Sequence, residues 1–204
     1  MAKSSKRWMQ EHERDIFVKQ ARQTQYRSRA VYKLMEIDKQ DHLFRPGQTV
    51  IDLGAAPGSW SQYAAERVGV QGMVIAVDIL PIDPIENVLV MQGDFTEQKT
   101  ADACLERLDG KRADLVISDM APNISGIRST DQARSMYLAE LTVDFAGTVL
   151  QRGGDMLVKL FQGQGADQYR RQLLDVFQRV KYKKPAASRD SSREFYVLAL
   201  GYDV

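Results

Sequence analysis

Four apolar segments of this 204-residue chain each end close to a glycine or an aspartate. These residues are Gly54, Asp78, Asp94 and Asp119. The carboxyl ends of parallel strands meet at one edge of a sheet, where open α/β folds bind ligands. A carboxylate 24 residues after Gly54, as Asp78 is, can bond both ribose hydroxyls of an adenosine. Asp94 is placed to accept from an adenine amino group. A helix cap or a turn is the alternative role for any single aspartate, but the four together favour a nucleoside site.

The loop after the first of these segments reads DLGAAPGSW over residues 52–60. Its glycines, Gly54 and Gly58, follow a G-x-x-x-G spacing rather than the G-x-G-x-x-G of dinucleotide sites, and no Lys-Ser/Thr pair of a phosphate loop follows. Gly54 permits a tight turn, and Gly58 permits close approach of a ligand at the start of a helix. A pyrophosphate requires a cradle of amides, whereas a cationic sulfonium with an amino-acid tail does not. The loop is therefore better suited to a sulfonium ligand.

Lys159 lies inside the apolar run LVKLF, where a solvated lysine is unusual. It is either a functional group or a lysine whose stem extends to the sheet edge. The chain has two histidines, His12 and His42, and one cysteine, Cys104, which we expect to be a small buried residue. These counts argue against a Ser-His-Asp triad and against a zinc centre built from His or Cys. We expect no metal.

Strands and helices alternate around these residues. The predicted strands are 49–53, 73–79, 88–91, 113–118, 156–161, 180–183 and 195–202. The predicted helices are 8–25, 28–39, 58–68, 97–108, 130–150 and 166–177. We expect Ser28 to cap the second helix and Gly153-Gly154 to form a turn. This order predicts an α/β fold with a mostly parallel sheet, helices on both faces and an antiparallel pair of strands at one edge.

The net charge of +1 is unevenly distributed. Residues 1–33 and 170–193 each carry a net charge of +6, and residues 34–169 carry −9. Two basic ends around an acidic middle favour a polyanion-binding surface, although they could also be two separate solvated faces. The basic residues that we expect to contact phosphates are Arg22, Arg27, Arg29, Lys181, Lys183, Lys184, Arg189 and Arg193. Tyr26 and Tyr32 could stack on bases or pack in the core.

Length and composition indicate one domain with a short appendage. The mass of 23.1 kDa, with 44% hydrophobic and 27% charged residues, is ordinary for a globular domain. We assign residues 1–22 to a basic N-terminal appendage and residues 23–204 to a single domain. No apolar stretch approaches the roughly 20 residues of a membrane span, and the first residues lack the apolar core of a secretion signal. We expect a monomeric, cytoplasmic protein that does not contact membranes.

Four motifs resemble those of the FtsJ/RrmJ-type 2′-O-ribose RNA methyltransferases. They are DLGAAPGSW at 52–60, DMAPN at 119–123, VKLFQG at 158–163 and SRDSSREFY at 188–196. The likeness covers nearly the whole chain, from about Trp8 to about Tyr202, and is closest to the ribosomal RNA large-subunit methyltransferase E family. It implies a Rossmann-like class I methyltransferase fold with a seven-stranded sheet. It also implies S-adenosylmethionine as cofactor and a uridine of 23S ribosomal RNA, in an assembled or late-assembling large subunit, as substrate.

The resemblance implies site residues too. The family's catalytic Lys-Asp-Lys-Glu tetrad falls on Lys33, Asp119, Lys159 and Glu194. The family's cofactor contacts fall on Gly58, Trp60, Asp78, Asp94 and Asp119. Ser59 departs from the family, in which glycine is common there. We expect Lys159 to be the general base, which requires a neutral amine; burial or a second cation such as Lys33 would favour that form.

Three other functions remain open at this stage. An NAD-dependent oxidoreductase would share the fold class, but the absent G-x-G-x-x-G argues against it. A non-catalytic ribosome assembly factor would keep the fold without turnover, although the intact tetrad argues against a dead site. Methylation of the 2′-hydroxyl in transfer RNA or in an RNA cap would use the same tetrad, although the short chain favours the ribosomal substrate.

Overall fold

The computed structural model describes residues 16–122, 125–163, 165–189 and 192–204. Its helices are α1 (Ile16–Gln23), α2 (Val31–Asp41), α3 (Ser59–Val68), α4 (Gln98–Leu108), α5 (Arg128–Val149) and α6 (Ala166–Val176). Its strands are β1 (Thr49–Leu53), β2 (Met73–Asp78), β3 (Val88–Gln92), β4 (Ala113–Ser118), β5 (Leu150–Phe161), β6 (Phe177–Lys183) and β7 (Glu194–Tyr202). The part of the predicted helix 8–25 before Ile16 lies outside the described residues, as do Asn123 of the DMAPN motif and Asp190 and Ser191 of the SRDSSREFY motif.

The seven strands form one sheet in the order β3-β2-β1-β4-β5-β7-β6. Strands β1 to β5 are all parallel to one another, whereas β7 runs antiparallel to both β5 and β6. The predicted mostly parallel sheet with an antiparallel pair at one edge is confirmed. Because β7 inserts between β5 and β6, it brings Glu194 opposite Phe161 and Tyr196 opposite Lys159.

Apolar side chains cover both faces of the sheet, as a parallel sheet requires. All five residues of β1 are buried. On one face, buried residues of α4, α5 and α6, including Cys104 and Phe145, pack against the strands. On the other face the cover comes from α2 and α3, with Leu34, Trp60 and Ala64 in the core. The expectation that Cys104 is a buried core residue is confirmed.

Strand β5 is longer than its sequence predicts. The predicted turn at Gly153-Gly154 is wrong, because both glycines lie inside β5. The pairing with β4 jumps from Ala113 opposite Leu150 to Leu115 opposite Asp155. A bulge absorbs the extra residues, and Gly153 takes the positive φ of +83° that glycine adopts without a steric penalty.

Helix α2 begins three residues later than predicted. Ser28 does not cap it: the residue before the helix is Ala30, and no side chain caps the first turn. The Ser28 hydroxyl instead lies 2.7 Å from the hydroxyl of Ser59 on α3, and it accepts the Ala30 N–H at 3.2 Å. A tertiary contact with α3 therefore replaces the local capping interaction.

Candidate active site at the carboxyl ends of the strands

A pocket of about 410 Å³ opens at the carboxyl ends of β1 to β4. Its wall includes Gly54 after β1, Asp78 at the end of β2, Asp94 after β3 and Asp119 after β4. Leu138 of α5 also contributes to it. The four residues singled out by their positions along the chain are thus brought together, at the point where β1 has β2 on one side and β4 on the other.

Gly54 allows two loops of this pocket to approach each other. Its φ is +74°, and a Cβ built there would lie 2.9 Å from the Cα of Met120, which is backbone that cannot move aside easily. The Gly54 and Ala55 N–H groups donate to the carbonyl of Val77 at 2.9 and 3.2 Å. A residue larger than glycine would therefore force the β1 and β4 loops apart and change the pocket.

Asp78 fastens the glycine loop to the end of β2. Its Oδ2 accepts the Ala56 N–H at 2.9 Å, and its Oδ1 accepts the Leu80 N–H at 2.8 Å. A carboxylate has about four acceptor positions, so two remain after these bonds. Asp78 can therefore hold the loop and still accept hydrogen bonds from two hydroxyl groups of a ligand.

Asp94 is oriented by its own loop. Its Oδ1 accepts both the Thr96 hydroxyl at 2.7 Å and the Thr96 N–H at 2.9 Å. These two bonds hold the pKa of Asp94 below its usual range. Asp94 is therefore a carboxylate at neutral pH, and its Oδ2 keeps its capacity to accept a hydrogen bond from an amino group.

Neither Gly58 nor Trp60 lines this pocket. Gly58 precedes α3 with a φ of +105°, and a Cβ there would lie 2.5 Å from the side chain of Ile85. The Trp60 indole is buried and donates from Nε1 to the carbonyl of Ala30 at 2.9 Å. Because this ring is committed to the core, a ligand contact by Trp60 would have to come from its backbone.

Lys159 and Asp119 form a mostly buried ion pair at the wall of the pocket. The ammonium of Lys159 donates to Oδ1 of Asp119 at 2.9 Å and to the Asp119 carbonyl at 2.5 Å. The Lys159 side chain is 7% exposed, so its stem does not reach bulk solvent. A buried cation needs such a partner, because burial of an isolated charge is strongly unfavourable.

Lys33 and Glu194 form a second pair. Lys33 lies in the first turn of α2, Glu194 begins β7, and their Nζ and Oε1 atoms are 2.5 Å apart. The two side chains are 12% and 11% exposed. All four residues expected in the catalytic tetrad are thus mostly buried and paired.

Tyr196, a residue that was not predicted to belong to the site, connects the two pairs. Its hydroxyl donates to Oδ1 of Asp119 at 2.8 Å, and the Nζ of Lys33 lies 5.9 Å from its ring centroid. Alternate residues of a strand share a face of the sheet. The position of Tyr196 two residues after Glu194 could therefore have indicated that both side chains lie at the same site. Tyr196 also pairs with Lys159 across the β5–β7 ladder.

Asp119 is negatively charged at neutral pH despite its burial. Burial raises the pKa of this carboxyl, but the charges of Lys159 and Lys33, with the hydrogen bonds from Lys159 and Tyr196, outweigh it and hold the pKa below the usual range. Burial, reinforced by the nearby carboxylates of Asp119 and Glu194, raises the pKa of Tyr196 well above its ordinary value. Tyr196 therefore remains a protonated donor to Asp119.

Asp52 is a second residue near the site that was not predicted from its position in the sequence. It is fully buried on β1, where its Oδ2 accepts the Ser61 hydroxyl at 2.6 Å and its Oδ1 has no hydrogen-bond partner among the described residues. Burial is the main cause that raises its pKa to about 7; the Asp119 and Asp78 charges add to this, and the Ser61 bond opposes it. An acidic residue inside the apolar run TVIDL could have indicated a functional group, as Lys159 does in the run LVKLF.

Most of the basic residues expected to contact phosphates make internal contacts. Arg27 and Arg29 donate to backbone carbonyls, Lys181 and Lys183 pair with Asp41, and Lys184 donates to the carbonyls of Ser192 and Glu194. The side chain of Arg22 lies outside the described part of the chain. Arg29, Lys33, Arg189 and Glu194 line a separate cavity of about 290 Å³. The basic stretches therefore build the fold as well as a charged surface.

The two candidate stacking residues have partners within the protein. The Tyr26 hydroxyl donates to Oε2 of Glu66 at 2.5 Å, and the Tyr32 hydroxyl lies 2.9 Å from that of Thr24. Within the described residues, no helix is long and apolar enough to cross a membrane. Those same residues include no cluster of three or more His, Cys, Asp or Glu side chains that could hold a metal ion.

The sheet order and the pocket at its carboxyl edge define a Rossmann-like methyltransferase fold. A Plasmodium falciparum protein assigned as a ribosomal RNA methyltransferase matches it with a TM-score of 0.79 and 29% identity, over 87% of this chain and 98% of that one. Aeropyrum pernix fibrillarin, solved with S-adenosyl-L-methionine bound, has a TM-score of 0.58 and 16% identity, over 86% and 75% of the two chains, and this likeness shows the fold alone.

The chain belongs to the FtsJ-like methyltransferase family, whose sequence profile matches residues 26–202. The ribosomal RNA large subunit methyltransferase E of Alkalilimnicola ehrlichii is 57% identical over 198 residues, 97% of this chain and 95% of the relative. The protein of the same name from Pseudomonas aeruginosa is 53% identical over 201 residues, 98% and 97% of the two chains. The family expected from the four motifs is confirmed.

Proposed function

We propose that this protein transfers a methyl group from S-adenosylmethionine to the 2′-hydroxyl of a uridine in 23S ribosomal RNA, on the assembled or late-assembling large subunit. The observation that carries the proposal is the buried Lys159–Asp119 pair beside a pocket that joins Gly54, Asp78 and Asp94. The names of two relatives more than 50% identical over nearly the whole chain support the ribosomal substrate. The four motifs support the 2′-hydroxyl as the acceptor.

The pocket residues fit S-adenosylmethionine. Asp78 has acceptor positions for the two ribose hydroxyls, and Asp94 can accept from the adenine amino group. Gly54 provides the close-approach loop, and the carboxylates of Asp78, Asp94 and Asp119 suit a ligand with a positively charged sulfur. When bound, this cofactor supplies a methyl group that its sulfonium has already activated. We assign backbone contacts to Gly58 and Trp60.

Lys159 is the group that we propose removes the proton of the ribose 2′-hydroxyl. A neutral ribose hydroxyl is a weak nucleophile, and a positioned base increases its reactivity by roughly 10²–10⁴-fold. We assign this role to Nζ of Lys159, which must first lose one proton of its ammonium; the neutral amine then accepts the hydroxyl proton as the ribose oxygen takes the methyl group in place of the sulfur. Asp119 orients the amine through the 2.9 Å contact, and it balances the ammonium that forms. Lys33 and Glu194 complete the tetrad next to this pair.

The remaining parts of the proposal concern the whole protein. We assign the activity to a single domain over residues 23–204, with residues 1–22 as a basic appendage. We propose that it acts as a monomer in the cytoplasm, on ribosomal RNA in the large subunit. A basic surface that includes Arg189 and Arg193 would contact the RNA backbone.

The experiment that tests this function uses methyl-labelled S-adenosylmethionine and large subunits from cells that lack the enzyme. Naked ribosomal RNA and a transfer RNA pool are the other substrates, and Lys159→Ala is the variant. Lys111→Ala, which replaces an exposed lysine, is the matched control. We expect label at one ribose of 23S RNA, resistant to alkaline cleavage there, with the native protein and the control but not with Lys159→Ala. Cofactor affinity should stay nearly the same in the variant.

Each of the other outcomes contradicts one part of the proposed function. Full turnover by Lys159→Ala would show that Lys159 is not the base. Label in transfer RNA alone would show that the substrate is transfer RNA and not ribosomal RNA. Absence of label on every RNA, with cofactor still bound, would favour a binding-only assembly factor.

A further inference from the structure

Residues 25–30, here named the strap, join α1 to α2 and lie along helix α3. The Gln62 amide of α3 contacts the strap twice, because its Oε1 accepts the Arg27 N–H at 3.0 Å and its Nε2 donates to the Gln25 carbonyl at 3.3 Å. At the other end of the strap, Trp60 donates to the Ala30 carbonyl at 2.9 Å. The strap is therefore fastened at both ends to the helix that follows the glycine loop.

The Arg27 side chain reaches beyond α3 to two loops. Its Nη1 donates to the carbonyl of Pro57 at 3.1 Å and to that of Asp83 at 2.7 Å, and its Nη2 donates to the carbonyl of Pro84 at 2.8 Å. Pro57 belongs to the glycine loop after β1, whereas Asp83 and Pro84 belong to the loop between β2 and β3. One guanidinium thus connects two loops that are separated along the chain by helix α3 and strand β2.

Both loops supply walls of the 410 Å³ pocket. Gly54 and Ala56 come from the glycine loop, and Ile79 and Leu80 from the loop after β2. Between the loops there is little free space beside Arg27, since a Cβ on Gly58 would lie 3.1 Å from its Nη1. Arg27 therefore helps Asp78 to set the separation of these two walls.

The strap also leads directly to Lys33, three residues after Ala30 in the first turn of α2. A side-chain contact lies along this path as well: the Ser59 hydroxyl is 2.7 Å from that of Ser28. The cofactor loop and the segment that carries Lys33 are joined through side chains as well as through the core.

We propose that Arg27 is a positioning residue for the cofactor, and that the strap couples the glycine loop to the segment that carries Lys33. This inference depends on the proposed function, because it takes S-adenosylmethionine as the ligand of the pocket. It replaces the sequence-based expectation that Arg27 contacts RNA phosphates: in the structure the guanidinium is used by three backbone carbonyls. The planar guanidinium fork suits this role, since lysine has a single point of charge and cannot reach three carbonyls in a fixed geometry.

The test is a calorimetric titration of the protein with S-adenosylmethionine, and with S-adenosylhomocysteine as an unreactive probe, in the absence of RNA. The variants are Arg27→Ala and Arg27→Lys, and Arg107→Ala on the exposed side of α4 is the matched control. Hydrogen bonds from a charged donor stabilise more than those between neutral groups. Because Arg27 is partly exposed, we expect a rise of about tenfold in the cofactor dissociation constant for Arg27→Ala, with Arg27→Lys intermediate and the control unchanged.

The salt dependence of RNA binding distinguishes a positioning residue from a residue that contacts RNA phosphates. For a positioning residue, the slope of log affinity against log salt stays that of the native protein. An unchanged cofactor dissociation constant, together with weaker RNA binding and a salt slope smaller by about one, would overturn the proposal and make Arg27 a phosphate contact.

Two further measurements keep the test decisive. Thermal unfolding reports whether Arg27→Ala folds. If it does not, Ser59→Ala removes the Ser28 contact without adding a glycine to the helix, and we expect a rise of about twofold to threefold in the cofactor dissociation constant. An unchanged constant in that variant would then count against the coupling. Failure of the native protein to bind the cofactor at all would refute the proposed function, which is a different result from a native-like affinity in Arg27→Ala.

Discussion

The Tyr196 hydroxyl donates to Oδ1 of Asp119 at 2.8 Å, the same oxygen that accepts the Lys159 ammonium at 2.9 Å. One carboxylate oxygen thus accepts hydrogen bonds from both a phenol and an ammonium group. The Lys33 ammonium lies 5.9 Å from the centroid of the same tyrosine ring. The buried charges therefore form a connected group, and Tyr196 is the neutral member that sets the orientation of Asp119.

Replacing Tyr196 with Phe removes one hydrogen bond and keeps the ring. We expect kcat for RNA methylation to fall about tenfold, because Asp119 loses a donor that fixes its carboxylate. The cofactor dissociation constant should stay within about twofold of the native value. Single-turnover methylation and calorimetry measure these two quantities. Tyr137→Phe on α5, an exposed tyrosine, is the control. A native kcat in Tyr196→Phe would show that Lys159 alone orients Asp119.

The Lys33–Glu194 pair should show coupling in its contribution to stability. Removing one partner leaves a mostly buried, unpaired charge, which commonly costs about 3–5 kcal/mol. We expect Lys33→Met and Glu194→Gln each to be strongly destabilising, and the double variant to be less destabilised than the two together predict. Urea unfolding of the four proteins gives the coupling free energy. Additive effects would mean that solvent already screens the pair.

Asp52 should make the protein less stable as the pH rises toward 8. Its pKa is about 7 in the folded protein, against 3.8 in the reference state, so the folded state retains a proton that the unfolded chain loses between these values. Stability is therefore highest below about pH 4 for this group, and it falls until the pH passes 7. The full effect is on the order of 4 kcal/mol at its upper limit.

Thermal unfolding of Asp52→Asn between pH 5 and 8 measures this effect. We expect the melting temperature of the variant relative to the native protein to increase with pH, because Asn has no proton to lose. Asp144→Asn, which replaces an exposed aspartate on α5, should show no such trend. A constant difference between Asp52→Asn and the native protein across this range would refute the raised pKa.

Gly54 and Gly110 provide a matched pair, since both have a φ of +74°. A left-handed residue other than glycine costs about 1–2 kcal/mol at either position. A Cβ on Gly110 meets no atom within 4 Å, whereas a Cβ on Gly54 lies 2.9 Å from the Met120 backbone. We expect Gly110→Ala to lose only the conformational part and to bind cofactor normally.

Gly54→Ala should lose at least another 1–2 kcal/mol and most of its cofactor affinity, because the collision forces the pocket loops apart. Denaturant unfolding and calorimetric titration compare the two variants directly. Equal losses in both would mean that the β4 loop moves away without affecting the pocket.

The order of strands and helices could be predicted because the spacing of apolar residues along the chain indicates which side chains are buried. The run Thr49–Leu53 is apolar and bounded by turn residues, and β1 occupies those five positions. The start of α2 was predicted incorrectly because Ser28 has the chemistry of a cap, yet it is used by Ser59, 31 residues away. The bulge in β5 likewise depends on pairing with β4, which no local pattern around Gly153 encodes.

By itself, the sequence determined the α/β alternation, the aspartates at the strand ends and the family, because residue type, spacing and motif order are properties of a linear chain. Only the tertiary structure decided which charges meet. Lys159 meets Asp119 because β5 lies parallel beside β4, and Glu194 reaches Lys33 because β7 runs antiparallel beside β5 and therefore starts at the carboxyl ends of the parallel strands. Arg27 donates to three loop carbonyls. Hydrogen bonds and ion pairs depend on ångström-scale separation in space, and residues distant along the chain acquire that separation only when the whole sheet assembles.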